Sequence, residues 1–379
     1  MNLKRSLLFF SLTMFLSPIF ATTEEGEKAY NQQRYEKAYL LLFEQAEKGD
    51  AKAQYLLGKM YYNNQGVTYN PQKAELWLLA AAKQGNVKAQ VLLADFYWYQ
   101  KSPESYVKAL EWYKKAAEKN EPQALYSLGY MYEKGNGVPR DYNLAMSYYK
   151  QSAQAGNSEA ALAIGYMYDS GIGVNKDLAQ ALEWYTKAAN QGNARAQYNL
   201  GLLYQYGEGV PKDESKAFDF FQKAAEQGHA KAQLQLGTFY DVGNVVPANF
   251  EKAFFWYKKS AEQGDENAQY NIADMYFYGD GVGKDTQLSL IWMRKSAEQG
   301  LGKAQNKLGI FCRDGIGISA NPVEAYAWFA TAAANDFTDA IKNRDELEKQ
   351  LTSEQLQQAK KLAEDYILRY KQKDDLLEN

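Results

Sequence analysis

Five loops in this chain have the look of chemistry: GNGV (135–138), GIGV (171–174), GEGV (207–210), GDGV (279–282) and GIGI (315–318). A glycine-rich turn ahead of a helix can cradle a phosphate on free backbone N–H groups. Each of these lies between two helical stretches rather than after a strand, and no GKS or GKT follows. Near-copies suit a turn, where paired glycines supply positive φ at no steric cost. His229 is the only histidine, and it stands in a column that other repeats fill with Asn193 and Asp265. A helix cap is therefore expected there, not a base. Cys312 is the only cysteine, which excludes an internal disulfide and, with a single histidine, a zinc ligand set. No G-x-S-x-G elbow occurs, no nucleophile is aligned with His229, and the carboxylates fall at caps and solvated faces. These observations predict no catalytic, metal or cofactor site.

What positions such residues is a repeat. Residues 194–229, ARAQYNLGLLYQYGEGVPKDESKAFDFFQKAAEQGH, are rewritten almost column by column in residues 230–265 and 158–193. Taking Ala53, Ala89, Ala124, Ala160, Ala196, Ala232, Ala268 and Ala304 as origins gives spacings of 36, 35 and then 36 throughout. A leucine or isoleucine follows at four, a glycine or alanine at five, and at eight a tyrosine that Cys312 replaces in the last repeat. Spacing of 0, 4, 5 and 8 marks one face of a helix.

The second half of each repeat reads as a second helix. Asn70, Ser105, Asp141, Asp177, Asp213, Asn249, Asp285 and Asn321 are its expected caps, with Pro71 and Pro322 in the first helical position. An aromatic follows in every repeat: Trp77, Trp112, Tyr148, Trp184, Phe220, Trp256, Trp292 and Trp328, read here as the buried column. Gly49, Gly85, Gly156, Gly192, Gly228, Gly264 and Gly300, with Asn120 in the shortened second repeat, close the helices in the left-handed conformation.

Together the small, aromatic, capping and turn columns resemble the Sel1-like repeat, a relative of the tetratricopeptide repeat, over about residues 51–336. The second repeat departs from the pattern by lacking its glycine loop, and the last lacks the tyrosine and the closing glycine. The resemblance implies an all-α, right-handed α-solenoid of stacked antiparallel helix pairs with a concave inner face. The expected organisation is a signal peptide (1–21), a partial repeat or helical cap (22–50), eight repeats (51–339), and a C-terminal helical cap with a tail (340–379). The cap is read as one long polar-faced helix opened by a Thr352–Gln355 capping box.

Lys4 and Arg5, the apolar run SLLFFSLTMFLSPIF and Ala21 form the expected export signal, too short and too interrupted for a membrane span. The net charge of −3 leaves no basic stripe for nucleic acid. What remains is surface. Positions two, six, nine and ten after each origin vary and are rich in rings. Tyr62, Trp98, Tyr99, Tyr130, Tyr166, Tyr206, Phe277 and Tyr278 are the candidate partner-binding residues, with Trp98 the sharpest because it lies outside the tryptophan column. The expected function is capture of a protein partner by an exported monomer, without nucleic acid or an integral membrane segment. The layout is similar to secreted Sel1-like proteins of intracellular bacterial pathogens, which implies contact with a host protein in entering or trafficking within host cells. A periplasmic adaptor for envelope or secretion machinery is the alternative, and a cell-wall hydrolase the third reading.

Overall fold

The computed structural model describes residues 22–371, so the expected export signal and the last residues of the tail lie outside the described part. Among the described residues are twenty α-helices and no strand, making the chain an all-α repeat solenoid. It divides after Ala160 into two compact units. In the first, α1 (Thr23–Asn31) and α2 (Tyr35–Glu47) pack on α3 (Ala51–Tyr62). The pairs α3 with α4 (Pro71–Lys83), α5 (Val87–Trp98) with α6 (Pro103–Ala117), and α7 (Pro122–Lys134) with α8 (Tyr142–Gln154) then follow. The boundary falls inside α9 (Ser158–Ser170). The second unit continues with α10 (Leu178–Asn190), α11 (Ala194–Tyr206), α12 (Glu214–Glu226), α13 (Ala230–Val242) and α14 (Phe250–Glu262). It ends with α15 (Glu266–Tyr278), α16 (Thr286–Glu298), α17 (Gly302–Asp314), α18 (Pro322–Ala334), α19 (Asp339–Glu348) and α20 (Ser353–Tyr370).

Local chemistry sets these boundaries. Asn70, Asp141, Asp177, Asp213, Asn249, Asp285 and Asn321 each accept a hydrogen bond from the backbone N–H three residues on, as their types predict. Ser105 does not cap. With no glycine loop before it, α6 starts three residues early at Pro103, Ser102 is the cap, and Ser105 accepts the N–H of Ser102 in a capping box. In the loops both glycines are left-handed, at φ 77° and 72° for Gly135 and Gly137. The second also permits a close approach, because a Cβ on Gly137 would stand 2.8 Å from the Tyr106 Cβ. That packing on a neighbouring helix, not an open anion cradle, accounts for the motif.

The buried ring column is one residue later than the sequence suggests. Leu78, Tyr113, Tyr149, Tyr185, Phe221, Tyr257, Met293 and Phe329 are the core; of the expected column only Trp112 and Trp328 are buried, while Trp77, Tyr148, Trp184, Phe220, Trp256 and Trp292 are half-buried. The glycines five after the origin, present in six of the eight repeats, explain the choice there. A Cβ on Gly165, Gly201 or Gly237 would lie 2.5 Å from a ring carbon of Tyr185, Phe221 or Tyr257, so these rings lie directly on backbone. The tryptophans flank that core under lysine ammonium groups, at 4.1 Å for Lys187 over Trp184 and 4.0 Å for Lys295 over Trp292.

A buried amide ladder, invisible as such in the sequence, ties repeats together. Gln197 donates to the Ala189 carbonyl and accepts from Gln227, and Gln233–Gln263 and Gln269–Gln299 repeat the arrangement with amide contacts of 2.7 and 2.8 Å. The shortened second repeat has Lys119 where these repeats have the donating glutamine, and the buried Gln90 Oε1 is left without a protein partner. The tail is two helices, not one. α19 and α20 both pack on α18, with the break just before the Thr352–Gln355 capping box.

Candidate partner-binding face

The variable positions of the first helices are divided: some side chains are exposed, while others touch the core column, as Tyr126 does Tyr149 and Tyr198 does Phe221 with ring centroids 5.7 Å apart. Five of the eight sequence candidates are exposed: Tyr99, Tyr130, Tyr166, Tyr206 and Tyr278, with Tyr99, Tyr206 and Tyr278 at 67%, 64% and 60%. The other three are half-buried and serve as backing. Trp98 is wedged between Tyr106 and Tyr130, with ring centroids 4.9 and 5.7 Å away. Tyr62 meets Phe96 edge-on at 6.1 Å, and Phe277 leans on Phe311 at 5.3 Å. Trp98 is therefore a fixed wall with one side available, not a freely displayed anchor.

Sequence reasoning missed a second set on this face. The buried tyrosines aim their hydroxyls at carboxylates: Tyr113 donates to Asp95 at 2.5 Å, Tyr149 to Glu133 at 2.7 Å, Tyr185 to Asp169 at 3.1 Å and Tyr257 to Asp241 at 3.2 Å. Burial first, then the adjacent carboxylate, raises the pKa of Tyr113, Tyr149 and Tyr185, keeping them as donors. Burial also lifts Asp95 and Asp241 above the usual carboxylate range, with the tyrosine hydroxyl opposing it. The signal was present in the text of the chain. In three of these four pairs an Asp or Glu nine after the origin accompanies Tyr in the core column, whereas Gln205 accompanies Phe221 and Arg313 accompanies Phe329; Asp95, six after its origin, departs from that spacing.

Within the first unit, Asp95, Trp98, Tyr99, Tyr126, Ser127 and Tyr130 line a cavity of about 270 Å³. Within the second, Lys307 binds Asp274 at 2.6 Å with its ammonium 5.7 Å from the Phe277 centroid and 5.2 Å from that of Tyr278.

The remaining chemistry-bearing residues are structural. His229 Nδ1 accepts the Ala232 N–H at 3.2 Å, capping α13, and the ring stacks on Tyr198 at 4.7 Å. Burial, with Arg195 and Lys231 nearby, lowers its pKa from 6.5. The unfolded chain thus binds the proton more readily, so this cap stabilises fully above pH 6.5 and is lost as pH falls through the lower folded value. Melting temperature should fall below pH 6.5 by an amount equivalent to about 1 kcal/mol, the worth of a cap. A His229→Asn variant should lack that decline; an unchanged profile would refute the assignment. Cys312 is fully buried, and burial with Glu324 nearby pushes its thiol up to about 12. Native protein at pH 8 should react with a thiol reagent far more slowly than protein unfolded in urea, and equal rates would contradict the packing. Among the described residues no group of three or more His, Cys, Asp or Glu side chains is placed to hold a metal, and no helix is long and apolar enough to cross a membrane.

Comparison with known proteins agrees with this architecture. No curated protein matches the chain. The solved structure of a protective antigen present in uropathogenic Escherichia coli strains, displaying an SLR fold, is 35% identical, covers 92% of this chain and 84% of its own, and superposes with a TM-score of 0.53. A Sel1 repeat protein from Oxalobacter formigenes is 30% identical over 92% of this chain and 98% of its own, with a TM-score of 0.61. The Sel1 repeat model matches eight times without a gap longer than one residue, at 51–86, 87–121, 122–157, 158–193, 194–229, 230–265, 267–301 and 302–337. With its capping, glycine and ring columns accounted for physically, the chain belongs to the Sel1 repeat family.

Proposed function

We propose that this chain is an exported scaffold that captures a protein partner on the aromatic face of its first helices. One observation carries the reading. Tyr99, Tyr206 and Tyr278 are large exposed rings in a column where other repeats fold with Asn63, Ser170 or Asp314, so the fold does not require them. Tyrosine in such a position supplies contact area with little entropy to lose, which is why it dominates binding hot spots. Sel1 repeat proteins typically mediate protein–protein interaction, and their scaffold is typically non-enzymatic.

The similarity to a protective antigen of a pathogen supports export, since an antigen that protects must be reached by the host. The basic start and apolar run ahead of Ala21 agree with that. The partner on this reading is a host protein used in entering host cells or in trafficking within them. Expressed from its full sequence in a bacterium, the chain should lose residues 1–21 and reach the culture medium. The triple variant Tyr99→Ser, Tyr206→Ser, Tyr278→Ser should keep its helical spectrum and lose at least 90% of partner capture from host-cell lysate, roughly the effect of removing one 1.4 kcal/mol contact. Confinement to the periplasm, with a bacterial partner captured instead, would transfer the function to an envelope adaptor. Undiminished capture by the triple variant would remove the aromatic face from the account.

A further inference from the structure

We propose that the pocket between α5 and α7, floored by Asp95 and walled by Trp98, Tyr99 and Tyr130, receives the ammonium group of a lysine side chain presented by a protein partner. The proposal rests on the aromatic face being a partner surface and names the chemistry it recognises. Its main support is a second repeat that carries the same Asp, aromatic and Tyr on its first helix, with Met293 and Ile310 in the columns of Tyr113 and Tyr130 and Tyr270 in that of Val91, and that fills the space for itself. The pattern Ala-Asp-x-Tyr-aromatic-Tyr occurs in two repeats only, at residues 94–99 and 273–278.

In the second copy the next repeat contributes Lys307, three residues after its origin. Its ammonium lies 2.6 Å from Asp274, beside the rings of Phe277 and Tyr278 and 5.6 Å from the Tyr270 centroid. Lys303 covers the other side of Tyr270 at 4.5 Å. In the first copy the two corresponding positions are Ser127 and Gln123, neither of them a cation and Ser127 too short to reach across. The same columns then leave a cavity of about 270 Å³, below the range of drug-sized pockets and suited to one side chain. Burial raises the Asp95 pKa, the Tyr113 hydroxyl alone opposes it, and no neighbouring cation contributes. A desolvated carboxylate among ring faces is the environment that favours an organic cation, through a charge-assisted hydrogen bond and cation–π attraction together. A primary ammonium can make both contacts, whereas a quaternary one cannot donate to Asp95.

The test titrates the full chain with three terminally blocked peptides, Gly-Gly-X-Gly-Gly, where X is lysine, norleucine or trimethyl-lysine, followed by NMR shifts of the Trp98 indole. The lysine peptide should bind at least tenfold more tightly than either of the others. Ser127→Lys should place its own ammonium on Asp95, abolish lysine-peptide binding and leave the melting temperature unchanged or higher. Asp95→Asn should weaken binding at least tenfold. Equal binding of norleucine, tighter binding of trimethyl-lysine, or full binding by Ser127→Lys would each overturn the proposal. The two levels separate cleanly. Partner capture lost in the triple tyrosine variant but retained by Ser127→Lys would sink the lysine pocket and spare the face. Capture unaffected by the triple variant would sink the face, while the peptides would still decide the pocket.

Discussion

Tyr185→Ala is expected to cost roughly 3–5 kcal/mol, the range for truncating a large ring in a close-packed core, whereas Trp184→Ala should cost distinctly less. Tyr185 is 0% exposed and lies against the bare backbone of Gly165. Because that glycine has no side chain to swing inward, the cavity left by alanine cannot collapse, and the full cavity penalty applies. The same truncation removes the hydroxyl that donates to Asp169 at 3.1 Å. Trp184, by contrast, already contacts water and is covered on one side by Lys187, so its removal forfeits only part of its apolar area. Urea denaturation followed by circular dichroism distinguishes the two. In a repeat array, whose stability is a sum of local and nearest-neighbour terms, the Tyr185 variant should also broaden or split the transition. Equal losses for the two variants would return the tryptophan column to the core.

This pair of residues also shows where sequence reading reached its limit. Caps, closing glycines and helix faces were legible because each depends on a residue's own neighbours: an Asp or Asn accepts an N–H three residues on whatever the rest of the fold does. The core ring was not. From the buried Ala181, Trp184 is three residues away and Tyr185 four, and both spacings share a helix face. Recurrence of tryptophan favoured the wrong neighbour. The glycine opposite decides the matter, and that is a contact between helices. The glutamine ladder was missed for a related reason, since a polar residue next to a core alanine reads as surface until its partner 30 residues away is known. On the aromatic face, the types of Trp98 and Tyr99 pointed to the site. That Ser127 leaves open what Lys307 closes could be found only by comparing two repeats in space.

The other large effect is expected at the C-terminal end. In the second unit the second helix of a repeat packs on the first helix of the repeat that follows (α10 on α11, α12 on α13, α14 on α15, α16 on α17), and α18 has no such repeat after it among the described residues. α20 takes that role: Tyr366 and Tyr370 pack on Trp328 with centroids 4.6 and 5.4 Å away, leaving Trp328 1% exposed where its counterparts in six other repeats are half-buried. The Tyr370 carbonyl closes the amide ladder by accepting from both Gln305 and Asn335 at 3.0 Å. A chain ending at residue 349 would expose Trp328 and leave these two side chains without that acceptor. At about 1.5–3 kcal/mol for each large apolar side chain returned to water, the loss should exceed roughly 3 kcal/mol. The uncovered face should also drive concentration-dependent self-association, as an unpartnered solenoid end does. Cys312 supplies an independent gauge, because it belongs to the same buried cluster as Trp328 and reports local opening through its reactivity. Truncated protein should therefore melt earlier, sediment as larger species at higher concentration, and modify at Cys312 many times faster than the full chain. Were its melting temperature and thiol protection unchanged, α20 would be an appendage, and the last repeat would have to stand with its apolar face in water.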